Sequence, residues 1–158
     1  MNPIDISPAA RPAGNHDGLG YLRHGTGPER VMVLHDWLGD ATNYAAALPY
    51  LDETAFTYVF VDLRGYGASR HLSGTYTIDE ISADCLALAD RLGWQRFHVI
   101  GHSMTGMATQ RIAADAPSRI KRAIAVCPVS AASNRLGDDA RAFFASTTVD
   151  DDAFRRLV

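Results

Sequence analysis

No histidine follows position 102 in this sequence; His16, His24, His35, His71, His98 and His102 are the six it has. Basic runs are missing too. The net charge is −3 at a pI of about 6.0, and no lysine- or arginine-rich segment is present to meet nucleic acid or an anionic membrane. No apolar stretch approaches the roughly 18 residues that span a bilayer. Residues 1–18 have prolines and no apolar core, so they read as a mobile tail and not as a secretory signal. Cysteine is scarce, with Cys85 and Cys127 alone. Both are expected to be buried free thiols, the common state of unpaired cysteine in a reducing compartment, and the chain reads as cytoplasmic. No internal repeat or low-complexity tract occurs.

What is present is ordinary globular composition, 47% hydrophobic and 21% charged over 158 residues, enough for one domain. Apolar runs at 31–34, 58–61, 97–100 and 123–126 read as strands buried on both faces, with a short further strand at 20–24. Helical spacing is found at 40–51, at 78–92 and at 104–116, where Pro117 stops it. Thr77 with Glu80 fits a capping box, and Gly93 suits the C-terminal cap. Strands alternating with helices predict a mostly parallel sheet with helices on both faces. After about residue 132 no further apolar strand follows, and Asp138-Asp139 and Asp150-Asp151-Asp152 break up short helical patterns.

The chemistry concentrates in Phe97-His98-Val99-Ile100-Gly101-His102-Ser103-Met104-Thr105-Gly106. An apolar strand enters a Gly-x-Ser turn and leaves into a helix, the layout of a nucleophile elbow. Ser103 is the candidate nucleophile, and a serine hydroxyl needs a neighbouring base to take its proton. An oxyanion hole needs two converging backbone N–H groups. Met104, directly after the nucleophile, and Trp37, in the loop after strand 31–34, are the candidates. In that loop His35 reads mainly as a structural histidine, with a catalytic role as the alternative; His35, Asp36 and His102 are the candidate binding residues. His102 reads as pocket lining or packing. Segment 62–69, Asp-Leu-Arg-Gly-Tyr-Gly-Ala-Ser, reads as a structural turn with Arg64 paired to a carboxylate or to loop carbonyls.

Residues 35–40, 62–69 and 101–106, in this order and at these separations, resemble the α/β-hydrolase superfamily over roughly residues 20–130. The resemblance is nearest to its esterase, lactonase, C–C-bond hydrolase and cofactor-free peroxidase branch. It implies a serine hydrolase of an ester, lactone or related carbonyl substrate, with Ser103 as nucleophile, Trp37 and Met104 N–H groups holding the oxyanion, and no metal or organic cofactor. It also implies the order serine, acid, histidine, which this sequence does not complete. The expected fold is therefore that of the superfamily truncated after about the sixth strand: a tail at 1–18, a core at 19–132 and the start of a lid at 133–158. The expected partners are a small-molecule substrate and, through an exposed sheet edge at strand 123–126, a second copy or a complementing C-terminal half. Two local departures stand out. Asp36 occupies a usual glycine position, placing a carboxylate near developing negative charge unless it points away or is paired. Thr105 replaces another common glycine and crowds the elbow. Two alternatives stay open: a non-catalytic binding or regulatory module, and an oxygenase or lyase variant of the scaffold.

Overall fold

A computed structural model describes residues 18–132 and 136–157. The segment read as a tail lies, but for Gly18, outside the described residues. Five strands form one sheet: β1 (Tyr21–His24), β2 (Glu29–Leu34), β3 (Phe56–Val61), β4 (Phe97–His102) and β5 (Ile120–Val126). Their order is β1-β3-β2-β4-β5; β1 runs antiparallel to β3 and the other neighbours are parallel. The expected mostly parallel sheet is there. It holds five strands among the described residues, at the five segments that the sequence pattern predicts.

Two helices cover one face, α1 (Ile78–Arg91) and α2 (Met104–Asp115). Met32, Leu34, Val59, Val61, Phe97 and Val99 point into that layer and meet Cys85, Leu88 and Ile112. Alternate residues of the same strands, Val31, Val33, Tyr58 and Phe60, face the other side. Each fully buried side chain of this size contributes about 1.5–3 kcal/mol, so the helix-covered layer carries most of the stability. The α1 ends follow the sequence. Thr77 accepts from the Glu80 N–H at 3.2 Å, and Glu80 reaches back to the Tyr76 N–H at 2.8 Å. At the other end Gly93 sits at φ 69°. Its N–H meets the Asp90 carbonyl and the Trp94 N–H meets that of Ala89, the paired bonds of a Schellman cap.

The second face departs from expectation. Residues 40–51 do not form an α-helix; a turn leads into a 3₁₀ helix, Ala45–Tyr50, that contains Pro49. Proline lacks the N–H that an α-helix needs there, its ring collides with the carbonyl four residues back, and it disfavours α geometry at Leu48. Among the described residues, Ala41, Tyr44, Leu48 and Leu51 of this segment pack on this side. Next to them lies an open groove of about 690 Å³, lined among others by Val31, Tyr58, Ile100 and Ile124.

Beyond residue 135 lie α3 (Asp138–Ser146) and α4 (Asp151–Leu157). The acidic pair Asp138-Asp139 and the run Asp150-Asp151-Asp152, which the sequence pattern reads as interruptions, instead start these helices. Carboxylates favour the first turn of a helix, and Asp150 accepts from the N–H groups of Asp152 and Ala153.

Candidate functional site

The elbow is built by close packing that only small residues permit. A Cβ on Gly101 would stand 2.2 Å from the Thr105 carbonyl oxygen and 2.5 Å from Thr109 Oγ1. One on Gly106 would stand 2.8 Å from Pro128 Cβ. Between β4 and α2, Ser103 is held at φ 53°, ψ −114°, a region L residues rarely visit and which costs on the order of 1–3 kcal/mol. Its backbone is fixed from both sides. The N–H donates to the Val126 carbonyl at 3.0 Å, while its own carbonyl accepts from Val129 at 3.0 Å and Gly106 at 3.1 Å. The side chain is partly exposed. A Gly101→Ala exchange is expected to cost about 3 kcal/mol, the upper end for overpacking, because the clash is with backbone. A urea midpoint unchanged from wild type would refute this account of the turn.

The loop after β2 faces the elbow. His35 is 1% exposed. Its Nδ1 pairs with the Asp36 carbonyl at 2.7 Å, its Nε2 accepts from the Leu63 N–H at 3.2 Å, and its ring lies 4.8 Å from that of Tyr66. Both ring nitrogens are engaged, Nδ1 within its own loop and Nε2 across to the residue that follows Asp62 after β3. Burial pushes the imidazole below its usual pKa, against the opposing pull of the Asp36 carbonyl and nearby carboxylates. The sign of the linkage follows. Above about pH 6.5 the histidine is neutral in both folded and unfolded chains; below it the unfolded chain takes a proton that the folded one resists. Stability is therefore expected to fall below pH 6.5, by up to about 1.4 kcal/mol per pH unit. Urea melts at pH 7.5 and 5.5 measure the drop. The His35→Gln variant should show a shallower one, and an equal slope in both would rule His35 out as its source.

Asp36 Oδ2 meets His102 Nδ1 at 3.1 Å, and Asp36 Oδ1 accepts from Asn43 Nδ2 at 2.8 Å. The carboxylate near the elbow is thus paired. Thr105 is fully buried. Its hydroxyl accepts from the His102 N–H at 3.0 Å and lies within bonding distance of the Leu34 carbonyl at 3.2 Å and the His102 carbonyl at 3.0 Å. Trp37 is partly exposed, and Phe144 of α3 packs edge-on against it at 5.2 Å. Leu38 has φ 63°, and its N–H faces the Tyr66 hydroxyl, whose pKa burial raises. Two hollows flank Tyr66. One of about 300 Å³ is lined by Met104, Leu63, Tyr76 and Ile81, the other of about 580 Å³ by Leu38, Gly39, Asn43 and Thr148; Tyr66 and Arg70 line both.

Segment 62–69 is the structural turn the sequence indicated. Asp62 accepts from the Ala41 and Ala68 N–H groups. Arg64 forks onto Asp84 at 2.8 and 2.6 Å and donates to the Ser73 carbonyl. Burial pushes the Cys85 thiol well above its usual range. Cys127 differs from expectation: it is free but exposed, at φ 41° just past β5, because β5 borders the sheet and leaves its end uncovered. Sequence reading missed Tyr66 and Phe144 as neighbours of the loop, and no local signal ties Phe144 to Trp37. Among the described residues no cluster of three His, Cys, Asp or Glu side chains is placed to hold a metal ion. No described helix is long and apolar enough to cross a membrane.

Known proteins share this arrangement. The chain is 37% identical over 110 residues to the dihydrolipoyllysine-residue acetyltransferase component of the acetoin cleaving system of Cupriavidus necator, covering 69% of this chain and 29% of that protein. It is 33% identical over 101 residues to a fluoroacetate dehalogenase of a Burkholderia species, covering 61% and 33%. The crystal structure of a hydrolase from Pseudomonas aeruginosa superposes with a TM-score of 0.68 at 28% identity, over 93% of this chain and 53% of that one. The chain thus spans about a third of the length of these two relatives. The model of the alpha/beta hydrolase fold matches residues 29–154, and with β4, Ser103 and α2 arranged as above, the chain belongs to the alpha/beta hydrolase fold family.

Proposed function

We propose that Ser103 is the nucleophile of a serine-type hydrolase acting on an ester, lactone or related carbonyl compound. The observation that carries this reading is the backbone of Ser103, strained at φ 53° between β4 and α2, which turns the side chain out of both elements at the top of the sheet. In the proposed reaction Ser103 Oγ adds to the carbonyl carbon, and the resulting oxyanion is held by the N–H groups of Trp37 and Met104. Neither N–H donates to another described residue. The hollows beside Tyr66 would receive the substrate. In the proposed reaction the serine needs an acid–histidine pair to activate it. Helix α3, resting on Trp37 through Phe144, begins a lid. The two free thiols support a reducing, cytoplasmic compartment.

The absence of histidine after Ser103 favours a second reading, a binding or regulatory module that uses the same hollows without turnover. Incubation with a fluorophosphonate, followed by peptide mass spectrometry, separates the two. Slow labelling on Ser103 supports the nucleophile. No labelling over a day, in a protein shown to be folded, favours the binding module.

A further inference from the structure

We propose that Asp36, His102 and Thr105 form a clasp that fixes Trp37 N–H and Met104 N–H relative to each other, making all three positioning residues of the oxyanion site. The inference rests on the assignment of Ser103 as nucleophile. One donor sits on the loop after β2 and the other on the first residue of α2, so their spacing depends on what joins these segments. Parallel pairing aligns Leu34 with Gly101 but ends there, before either donor.

Two side-chain links continue past that point. Asp36 Oδ2 to His102 Nδ1, at 3.1 Å, crosses from loop to elbow. Thr105 Oγ1 takes the His102 N–H and reaches the Leu34 carbonyl at 3.2 Å. The two links share His102, whose backbone is held by Thr105 and whose ring is held by Asp36. On the loop side, Asp36 Oδ1 accepts from Asn43 Nδ2, Asn43 Oδ1 accepts from the Asp40 N–H, and the Asp36 carbonyl accepts from Gly39 at 3.3 Å. Trp37 lies inside this closed set of bonds. A carboxylate only accepts, so the Asp36 link requires hydrogen on His102 Nδ1. That hydrogen bond both orients the ring and draws Asp36's negative charge away from the developing oxyanion. The residues at 36 and 105, which stand where glycine is common, therefore act together: glycine at either place would remove one link. The pair's side chains are about a third exposed, 39% for His102 and 33% for Asp36. Ion pairs at such sites contribute little to folding, so breaking this one should disturb spacing more than stability.

The test uses the full chain at about 1 µM. Phosphonylation of Ser103 by a fluorophosphonate forms the Oγ–P bond, releases fluoride and gives the hydroxyl proton to solvent; its rate is followed by mass. Asp36→Ala and His102→Ala should each slow it about tenfold, and the double variant no further. Amide exchange in residues 36–40 should quicken in both, with the thermal midpoint within about 2 °C of wild type. His102→Asn, whose amide can occupy the place of Nδ1 and donate to Asp36, should recover most of the rate. Rates within twofold of wild type, a roughly hundredfold loss in the double variant, or no recovery with asparagine would overturn the clasp. If wild-type Ser103 takes no label, the nucleophile assignment fails by itself. The clasp then stands or falls on whether exchange at 36–40 rises together in the two alanine variants and returns with asparagine.

Discussion

Assayed on short acyl esters, the purified 158-residue chain is expected to turn over no faster than its Ser103→Ala variant. A serine hydroxyl attacks usefully only when a base removes its proton. Of the described histidines, His35 has both nitrogens engaged inside the fold. His98 is held by Glu29 beside the open groove, and His24 lies near Glu53. His102 adjoins Ser103 but turns Nδ1 to Asp36. None of these four is directed at Ser103 by the bonds described, and no histidine follows Ser103 in sequence. Removing the base from a triad costs about a millionfold in turnover and leaves roughly 10³–10⁴ over water from the oxyanion site and binding. Rates near background, equal with and without the serine hydroxyl, are the expected result. Turnover of tens per second, abolished by Ser103→Ala, would show that a base is present within the chain.

Fold and elbow were legible because they depend on local pattern. Val31-Met32-Val33-Leu34 is apolar on both faces and forms the buried end of β2. Thr77, Glu80 and Gly93 mark the ends of α1 through bonds within a few residues of each other. Gly101 and Gly106 bracket Ser103 because a side chain at either would strike neighbouring atoms. The stretch at 40–51 misled because apolar spacing suggested an α-helix while Pro49 decided the backbone. The misreading of Cys127 has a different origin. The open edge expected at 123–126 is there, with β5 at the border of the sheet, but its consequence for Cys127, which directly follows that strand, is not visible in the local pattern. The pairing of Asp36 with His102, 66 residues apart, carries no local signal either. The sequence showed that a carboxylate there needed a partner, not which one. The candidate site follows the same division: the position of Ser103 is visible in the motif, whereas the setting of the loop around Trp37 against the start of α2 depends on contacts made only in the folded chain.

The border strand itself gives the second large expectation, that the chain does not remain a dispersed monomer at tens of micromolar. Among the described residues β5 pairs with β4 on one side only, so its other edge presents unpaired backbone N–H and C=O groups. Natural sheets guard such edges with charge, proline or a bulge. Here Lys121 and Arg122, with a break in register at Lys121, guard one end, but Ala123-Ile124-Ala125-Val126 has neither charge nor proline and pairs in regular register. Ile124 is 52% exposed and Val126 43%. The groove beside them is lined by Ile100 and, more deeply, by the buried Val31 and Tyr58, so the exposed apolar surface is centred on Ile124 and Val126 at the edge. Contiguous apolar surface of this kind marks an interaction site or an aggregation liability. Sedimentation of freshly purified protein should show species heavier than the monomer, increasing with concentration. Ile124→Lys, which charges the edge without touching the helix-covered core, should shift the distribution back toward the monomer. Co-expression with a polypeptide carrying the remaining part of an α/β-hydrolase fold should do the same by covering both strand and groove. A stable, cooperatively unfolding monomer at tens of micromolar would show instead that the chain closes its own core, and that nothing further is needed at β5.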